Sequence, residues 1–449
     1  MNSDKKRVAE LETKVIRLES LIEKLLDKID DLTHRKNSRN SSVSPSKDEN
    51  RPLKTKSLRA NQGKKVGGQP GHEGSTLEMV ENPDIIIEHK PEFCNHCGDD
   101  LSDQPATFIL RRQVVDIPPI IPEFSEHRIF QKTCACGHHT KALFPSGVNS
   151  PISYGSNIQA TIAYMHTRQY LPFERMSEFF SDVCNLKISQ GTLCTLLKGF
   201  AQKAQPAYEL IAQKVENEKV VGGDETGAKV NGRKGWFWTF QSQVATYITF
   251  SNNRGTATIN ENFPNGFINS ILVHDCWRSY FQIKCKTHQI CIPHLLRELV
   301  FFEERYESQW AINFKKLLYE AIELKRNLTS IQYLNPILQR DKIIERLSVL
   351  LLTSVPKNRK DLCAFHKRIH KYKKYVFTFL FHDEVPPDNN ASERAIRNVK
   401  VKQKVSGQFK TENGAQFYAV IRSVTDTCIK NGQNVLAAFK TIDTIPQSV

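Results

Sequence analysis

Lys219-Val-Val-Gly-Gly-Asp-Glu-Thr-Gly227 reads as a short buried strand that ends in an open turn at Asp224, because two β-branched residues lead into glycines. A second stretch of the same kind, Ile268-Asn-Ser-Ile-Leu-Val-His274, leads into Asp275. Between them Trp236, Trp238 and Phe240 alternate with Phe237 and Thr239, and a further apolar run covers Val244 to Phe250. That alternation predicts a hairpin. The order is therefore strand with acid, hairpin, short helix, strand with acid. A third carboxylate, Glu393, follows Pro386 and Pro387, which disfavour helix just upstream. Asn390 can cap, and Ala395, Ile396 and Val399 form an apolar stripe, so Glu393 is expected in a helix's first turn.

Three rigidly held acids suit magnesium, which takes oxygen ligands and keeps several waters. Two such ions activate an attacking oxygen and stabilise a leaving one during displacement at phosphorus. Each acid also has a structural reading. Glu393 lies at capping-box spacing from Asn390, and Asp224 and Asp275 could be polar strand ends. The combination, rather than any one residue, points to phosphodiester chemistry.

The segments Gly223-Asp-Glu-Thr-Gly227, His288-Gln-Ile-Cys-Ile-Pro-His-Leu-Leu-Arg-Glu-Leu299 and Asp388-Asn-Asn-Ala-Ser-Glu-Arg-Ala-Ile-Arg397 resemble the transposases of the bacterial insertion sequence 66 family over most of residues 60–440. The resemblance implies a ribonuclease-H-like catalytic domain of the Asp-Asp-Glu type, interrupted by a helical insertion between the second and third acids. It places Asp224, Asp275 and Glu393 at the family's catalytic positions, holding two magnesium or manganese ions. It also implies double-stranded DNA, as element ends and target, for the substrate, and small accessory proteins of the same element as further partners.

Composition agrees with a polyanionic partner. The chain has 449 residues, enough for several modules, and 63 Lys and Arg against 48 Asp and Glu give a formal charge of +15. No apolar run is long enough to span a bilayer, and the charged start has no signal-like core, so a cytoplasmic, nucleoid-associated protein is expected. Eleven cysteines in such a chain are read as thiols or metal ligands rather than disulfides.

Four of those cysteines are paired. Cys94-Asn-His-Cys97 and Cys134-Ala-Cys136, each followed by glycine, could bring four thiolates to one structural zinc ion. Free thiols, or His96, His138 or His139 replacing one cysteine, remain open. Strand-like pieces are expected at Phe108 to Val115 and His127 to Lys132. Cys291 and His294 have the spacing of half a metal site but no second ligand pair nearby, and a helix shaping the catalytic cleft is the preferred reading.

At the start of the chain, Val8, Leu11, Val15, Leu18, Ile22, Leu25, Ile29 and Leu32 alternate spacings of three and four, the seam of a coiled coil that would make a homodimer or higher oligomer. The alternative is a helix packed on its own chain. Residues 154–210 turn helical, and Ser189 caps a helix that could be the reading helix of a helix-turn-helix or a plain connector. Lys367, Arg368, Lys371, Lys373 and Lys374, with Tyr372 and Tyr375 interleaved, and Arg394, Arg397, Lys400, Lys402 and Lys404 after Glu393, are candidate phosphate contacts or a solvated basic face.

The expected fold is multidomain α+β. It comprises a coiled-coil arm over 1–36, a flexible basic linker over 37–79, a zinc-binding module over 80–148 and a helix-turn-helix-like region over 149–212. The ribonuclease-H-like catalytic core follows in two parts, 213–296 and 386–432, around a helical insertion over 297–385, with a tail over 433–449. The expected function is transposition by strand cleavage and strand transfer. An inactive zinc-containing DNA binder on the same scaffold and a nuclease without strand transfer are the alternatives.

Overall fold

The structure, a computed structural model, describes residues 2–37, 39–41, 48, 77–145, 147–148 and 150–444. The glycine-rich segment 64–74 and most of the expected linker lie outside the described residues. The chain divides into two compact units, residues 53–122 and residues 1–52 with 123–449. Among the described residues no helix is long and apolar enough to cross a membrane.

In the larger unit the chain opens with α1 (Asn2–Thr33), whose seam residues from Val8 to Leu32 are each more than half exposed. Two short antiparallel strands follow, β1 (Gln131–Thr133) and β2 (His139–Lys141). Four helices come next: α2 (Ser156–Thr167), α3 (Phe173–Cys184), α4 (Gln190–Lys203) and α5 (Gln205–Glu216). Ser189 caps α4 as expected, its hydroxyl accepting from the Thr192 N–H at 3.1 Å.

The centre is a five-stranded mixed sheet of β3 (Val220–Val230), β4 (Arg233–Gln241), β5 (Thr246–Ser251), β6 (Phe267–His274) and β7 (Cys285–Ile290), in the order β5-β4-β3-β6-β7. β3, β4 and β5 form an antiparallel meander, and β6 and β7 add to it in parallel. The short helix α6 (Thr256–Asn262) joins β5 to β6. One expectation is corrected here. Asp224 does not end its strand, because β3 continues to Val230, where Asn231 and Gly232 turn it into β4. The glycines that suggested an open turn instead give room to neighbours on both faces.

Beyond the sheet run α7 (Ile292–Tyr306), α8 (Gln309–Asn327), α9 (Leu338–Leu352) and α10 (Lys360–Tyr372), then α11 (Asn390–Ser406), α12 (Glu412–Lys430) and α13 (Val435–Thr444). Period-two alternation in β6 splits the core: Leu272 joins the cluster of α2, α4, α5, α12 and α13, while Ile271 and Val273 join that of α7 to α10. The mixed sheet is thus covered by helices on both faces. Residues 154–210 pack into the same core as the sheet. The expected tail contains α13, whose Phe439 is fully buried against Phe200, because Val435, Phe439 and Ile442 form a helical stripe.

In the smaller unit, the segment from Phe108 to Val115 forms no strand. Its large apolar side chains are exposed and no neighbouring strand completes a ladder. Gln113 instead exchanges two hydrogen bonds with the Val80 backbone, at 2.8 and 2.7 Å.

Candidate active site

Sheet register brings the first two acids together. Gly222 pairs with Val273 across the parallel β3 and β6 strands, and continuing that register by two residues sets Asp224 opposite Asp275. Neighbouring strands lie about 4.8 Å apart, so the two carboxylates share the carboxyl end of one strand pair. The Trp277 N–H donates to Asp275 Oδ1 at 2.8 Å, and the Glu225 N–H donates to Asp224 Oδ1 at 2.9 Å.

The third acid arrives on α11, and glycine makes its approach possible. A Cβ on Gly222 would lie 2.5 Å from Ser392 Oγ and 2.6 Å from Asn389 Oδ1, so only a bare backbone lets the helix start dock on β3. Asn389 Nδ2 donates to the Gly223 carbonyl at 2.7 Å, and Ser392 Oγ donates to Asn389 Oδ1 at 2.6 Å. Glu393 therefore sits in the first turn, as expected, but the cap position belongs to Asn389. Asn390 is the first helical residue, and its N–H donates to Asp388.

Electrostatics register the convergence. Burial, then the charges of Glu225, Asp275 and Glu393, hold the Asp224 carboxyl well above the usual carboxylate range. Burial and Glu225 push Asp275 up to about 6. Like charges held close in a half-buried site are costly unless a cation compensates them, so this cluster fits divalent metal.

Sequence reasoning passed over Glu225. Strand alternation turns it to the face opposite Asp224, where its carboxylate accepts from Tyr280 Oη at 2.6 Å and pairs with Arg254 at 2.8 Å. The Arg254 guanidinium lies 4.6 Å from the Trp236 ring and 4.0 Å from the Trp277 ring. Period two applied to adjacent acids was the available signal.

A second group also went unanticipated. Cys291, His294 and Glu393 place one ligand atom each within 4.8 Å of one another, a possible metal-holding set. It is the only such triple among the described residues, so Asp224, Asp275 and Glu393 are more widely spread. His294 Nε2 and Arg297 Nη2 lie 3.9 and 3.5 Å from Glu393 Oε1.

Comparison with known families gives the match to this geometry. The family model for the Transposase IS66 family matches residues 151–417, more than half of the chain and all three acids. The chain belongs to the IS66 transposase family. Residues 2–78 match a second model, described as Family of unknown function (DUF6444). No curated protein matches. Membership of the IS66 family supports a transposase role for the chain and implies DNA as its substrate.

In this IS66-family chain the basic residues divide by orientation. Lys367, Lys371, Lys373 and Lys374 are exposed on and just after α10, and Arg394, Arg397 and Lys404 are exposed on α11. Tyr372 faces inward, stacked on Phe281 at 3.7 Å, and so ties the basic run to the loop that follows Asp275. Arg368 is bound through one nitrogen to both oxygens of Glu298, at 2.6 and 2.7 Å. Two expected phosphate contacts donate to backbone carbonyls of this chain instead. Lys402 is buried, donates to the Leu171 carbonyl at 3.1 Å and is pushed down to about 7 by burial, and Lys400 Nζ donates to the Gly227 carbonyl. The α11 stripe that packs inward includes these positions, so a basic tally overcounted the exposed charge.

The cysteine pairs each form a tight turn around a positive-φ glycine. In the smaller unit the Gly98 N–H donates to the Cys94 carbonyl at 2.9 Å, and the backbone N–H groups of Cys97 and His96 bring the Cys94 thiol down to about 7. In the larger unit the Gly137 N–H donates to the Cys134 carbonyl at 2.8 Å, and the Cys136 backbone lowers the Cys134 thiol. Each local geometry favours the thiolate, the form that binds metal.

Proposed function

We propose that this chain is an Asp-Asp-Glu transposase with a ribonuclease-H-like core, in which Asp224, Asp275 and Glu393 hold two magnesium or manganese ions at the DNA phosphodiester. The observation that carries the reading is the half-buried set of Asp224, Asp275 and Glu393, contributed by two adjacent strands and one helix start, in which Asp275 and Glu393 help to raise the Asp224 carboxyl. The β5-β4-β3-β6-β7 order, an antiparallel meander extended by two parallel strands, supports the fold assignment.

When bound, the ions would polarise the attacking and leaving oxygens of an in-line displacement. The chain's own groups supply the rest. Asn389 and Ser392 fix the position of Glu393, and Trp277 and Glu225 backbone N–H groups orient Asp275 and Asp224. Lys367, Lys371, Lys373, Lys374, Arg394, Arg397 and Lys404 would hold phosphates in register without reading sequence. Hydrolysis of one strand at the element end would free a 3′-hydroxyl, and attack of that hydroxyl on target DNA would join the two. Zinc is kept as an expected structural cofactor on the spacing of Cys94 with Cys97 and of Cys134 with Cys136. Self-association through α1 would let two element ends be held together.

The test uses purified protein and a duplex carrying the element ends. Asp224→Asn, Asp275→Asn and Glu393→Gln should retain end binding and abolish cleavage; continued cutting by these variants would sink the assignment. Wild-type protein that nicks the duplex without joining the cut ends to a second DNA would be a nuclease instead.

A further inference from the structure

Two helix starts meet beside the acids. Cys291 is the residue before α7, its sulfur accepting from the Asn389 N–H at 3.3 Å, and the Ile292 N–H donates to the Pro387 carbonyl at 2.9 Å. The lead into α11 is thereby stitched to the lead into α7. His294, three residues on, falls on the same side of α7 as Cys291, and Glu393 projects from the first turn of α11. The ligand atoms of all three lie within 4.8 Å of one another.

We propose that Cys291, His294 and Glu393 form a binding site for one divalent cation of the zinc class, and that filling it withdraws Glu393 from the magnesium centre. The binding half of this inference stands on the three side chains alone; the inhibitory half rests on the catalytic reading of Glu393 given above.

The donor set chooses the ion. Sulfur and imidazole nitrogen disfavour magnesium, which takes oxygen, and suit zinc, for which one thiolate, one imidazole and one carboxylate leave a fourth position for water. A thiolate and a carboxylate also balance the ion's two charges, the thiol proton passing to solvent on binding. A tetrahedral zinc ion sets its ligand atoms roughly 3.3–3.8 Å apart, so the observed group, with His294 Nε2 already 3.9 Å from Glu393 Oε1, needs to contract by no more than about 1–1.5 Å. Side-chain rotation can supply that.

A second observation points the same way. His294 Nδ1 is buried and has no hydrogen-bond partner. Buried polar nitrogens nearly always have one, so this ring nitrogen, in a residue beside a thiol and a carboxylate, is left without a partner for its lone pair or its proton. Packing alone would have been met by an apolar residue of similar size. Glu393 pairs there with Arg297 and, at 4.0 Å, with Arg397; an ion bound at Cys291 and His294 would draw the carboxylate from both arginines and from Asp224.

The experiment titrates cobalt(II), a spectroscopic stand-in for zinc, into metal-stripped full-length chain. Wild type minus Cys291→Ser isolates this site, since the paired cysteines elsewhere are common to both. A thiolate-to-cobalt charge-transfer band in that difference, with one fewer ion bound per chain in Cys291→Ser and in His294→Gln, is the expected result. Both variants are first checked for wild-type circular dichroism, and His294→Gln keeps the test valid where loss of the buried thiol unfolds the chain. Identical spectra and ion counts in wild type and variants would overturn the site. In the activity arm, zinc should inhibit magnesium-dependent cleavage, and the half-inhibitory concentration, relative to each protein's own zinc-free rate, should rise more than about tenfold in His294→Gln. Loss of the ion in both variants without any zinc inhibition of the wild type would leave the site standing and overturn the inhibitory half, while the Glu393→Gln cleavage assay separately decides whether Glu393 is catalytic.

Discussion

Asn389 donates its side-chain amide to the Gly223 carbonyl at 2.7 Å, which fastens the start of α11 to the strand carrying Asp224. The third acid is therefore placed by a contact one residue away from the first. Gly222 is the position where this docking is tightest, with Ser392, Asn389 and Gln241 all within 2.7 Å of where a Cβ would stand. Gly222→Ala is expected to push α11 off β3, at a cost of about 1–3 kcal/mol of overpacking, and to abolish cleavage while the protein remains folded. Urea unfolding and a cleavage assay on the same preparation check it. A fully active Gly222→Ala protein would show that the docking does not set the geometry of Glu393.

The half-buried acids also predict how metal-free protein responds to pH. Asp275 is raised to about 6 in the fold, above its value in an unfolded chain near 3.8. The native state then holds its proton longer, so this contribution to stability is full below about pH 4 and is lost as pH rises through about 6. In the presence of a chelator, the unfolding free energy should fall across that window by an amount on the order of 1–3 kcal/mol, read as a lower melting temperature, and Asp275→Asn should flatten the fall. Magnesium should restore the wild type above pH 6 and leave Asp275→Asn largely unmoved.

Much of this arrangement could be read from the chain itself, and the limits have physical causes. The strands around Asp224 and Asp275 were legible because apolar alternation is local. The length of β3 was not, since glycines at 222, 223 and 227 look like a turn until the neighbours that fill their space are known. The first-turn position of Glu393 followed from the prolines and the apolar stripe, whereas the docking role of Asn389 depends on a strand 166 residues away. The meeting of Cys291 and His294 with Glu393 was invisible for the same reason: the third ligand comes from another helix. Charge counting also failed at Lys402, because the helical stripe that buries it includes a lysine.

That inward lysine separates two roles for the basic residues of α10 and α11. Exposed residues such as Lys371 and Arg397 should each lower the salt dependence of DNA binding by about one unit when changed to Ala, as expected for single phosphate contacts. Lys402→Met should leave the salt slope unchanged. It should instead alter stability: Lys402 falls from 10.5 to about 7 on burial, so the unfolded chain binds the extra proton between those values and wild-type stability rises with pH across them. Lys402→Met should remove that rise. Binding isotherms at several salt concentrations and melts from pH 7 to about 10 measure both. A shallower salt slope in Lys402→Met would place this side chain on the DNA after all.

The α1 seam presents Val8, Leu11, Val15, Leu18, Ile22, Leu25, Ile29 and Leu32 to solvent, each more than half exposed, along a single helix of 32 residues. An isolated helix gains little from such a stripe, and an exposed run of this size is a surface that another copy can cover. β-Branched residues at the first seam position with leucine at the second favour two parallel strands. Replacing Leu18 and Ile22 by Glu puts four charges into the middle of a two-stranded seam, which should shift the mass measured by light scattering from an assembled species to a single chain. Strand transfer that needs two ends held together should fall with it, while binding to one end persists. An unchanged mass in the Leu18→Glu, Ile22→Glu protein would mean that α1 does not join copies of this chain, and the pairing of ends would have to come from another surface.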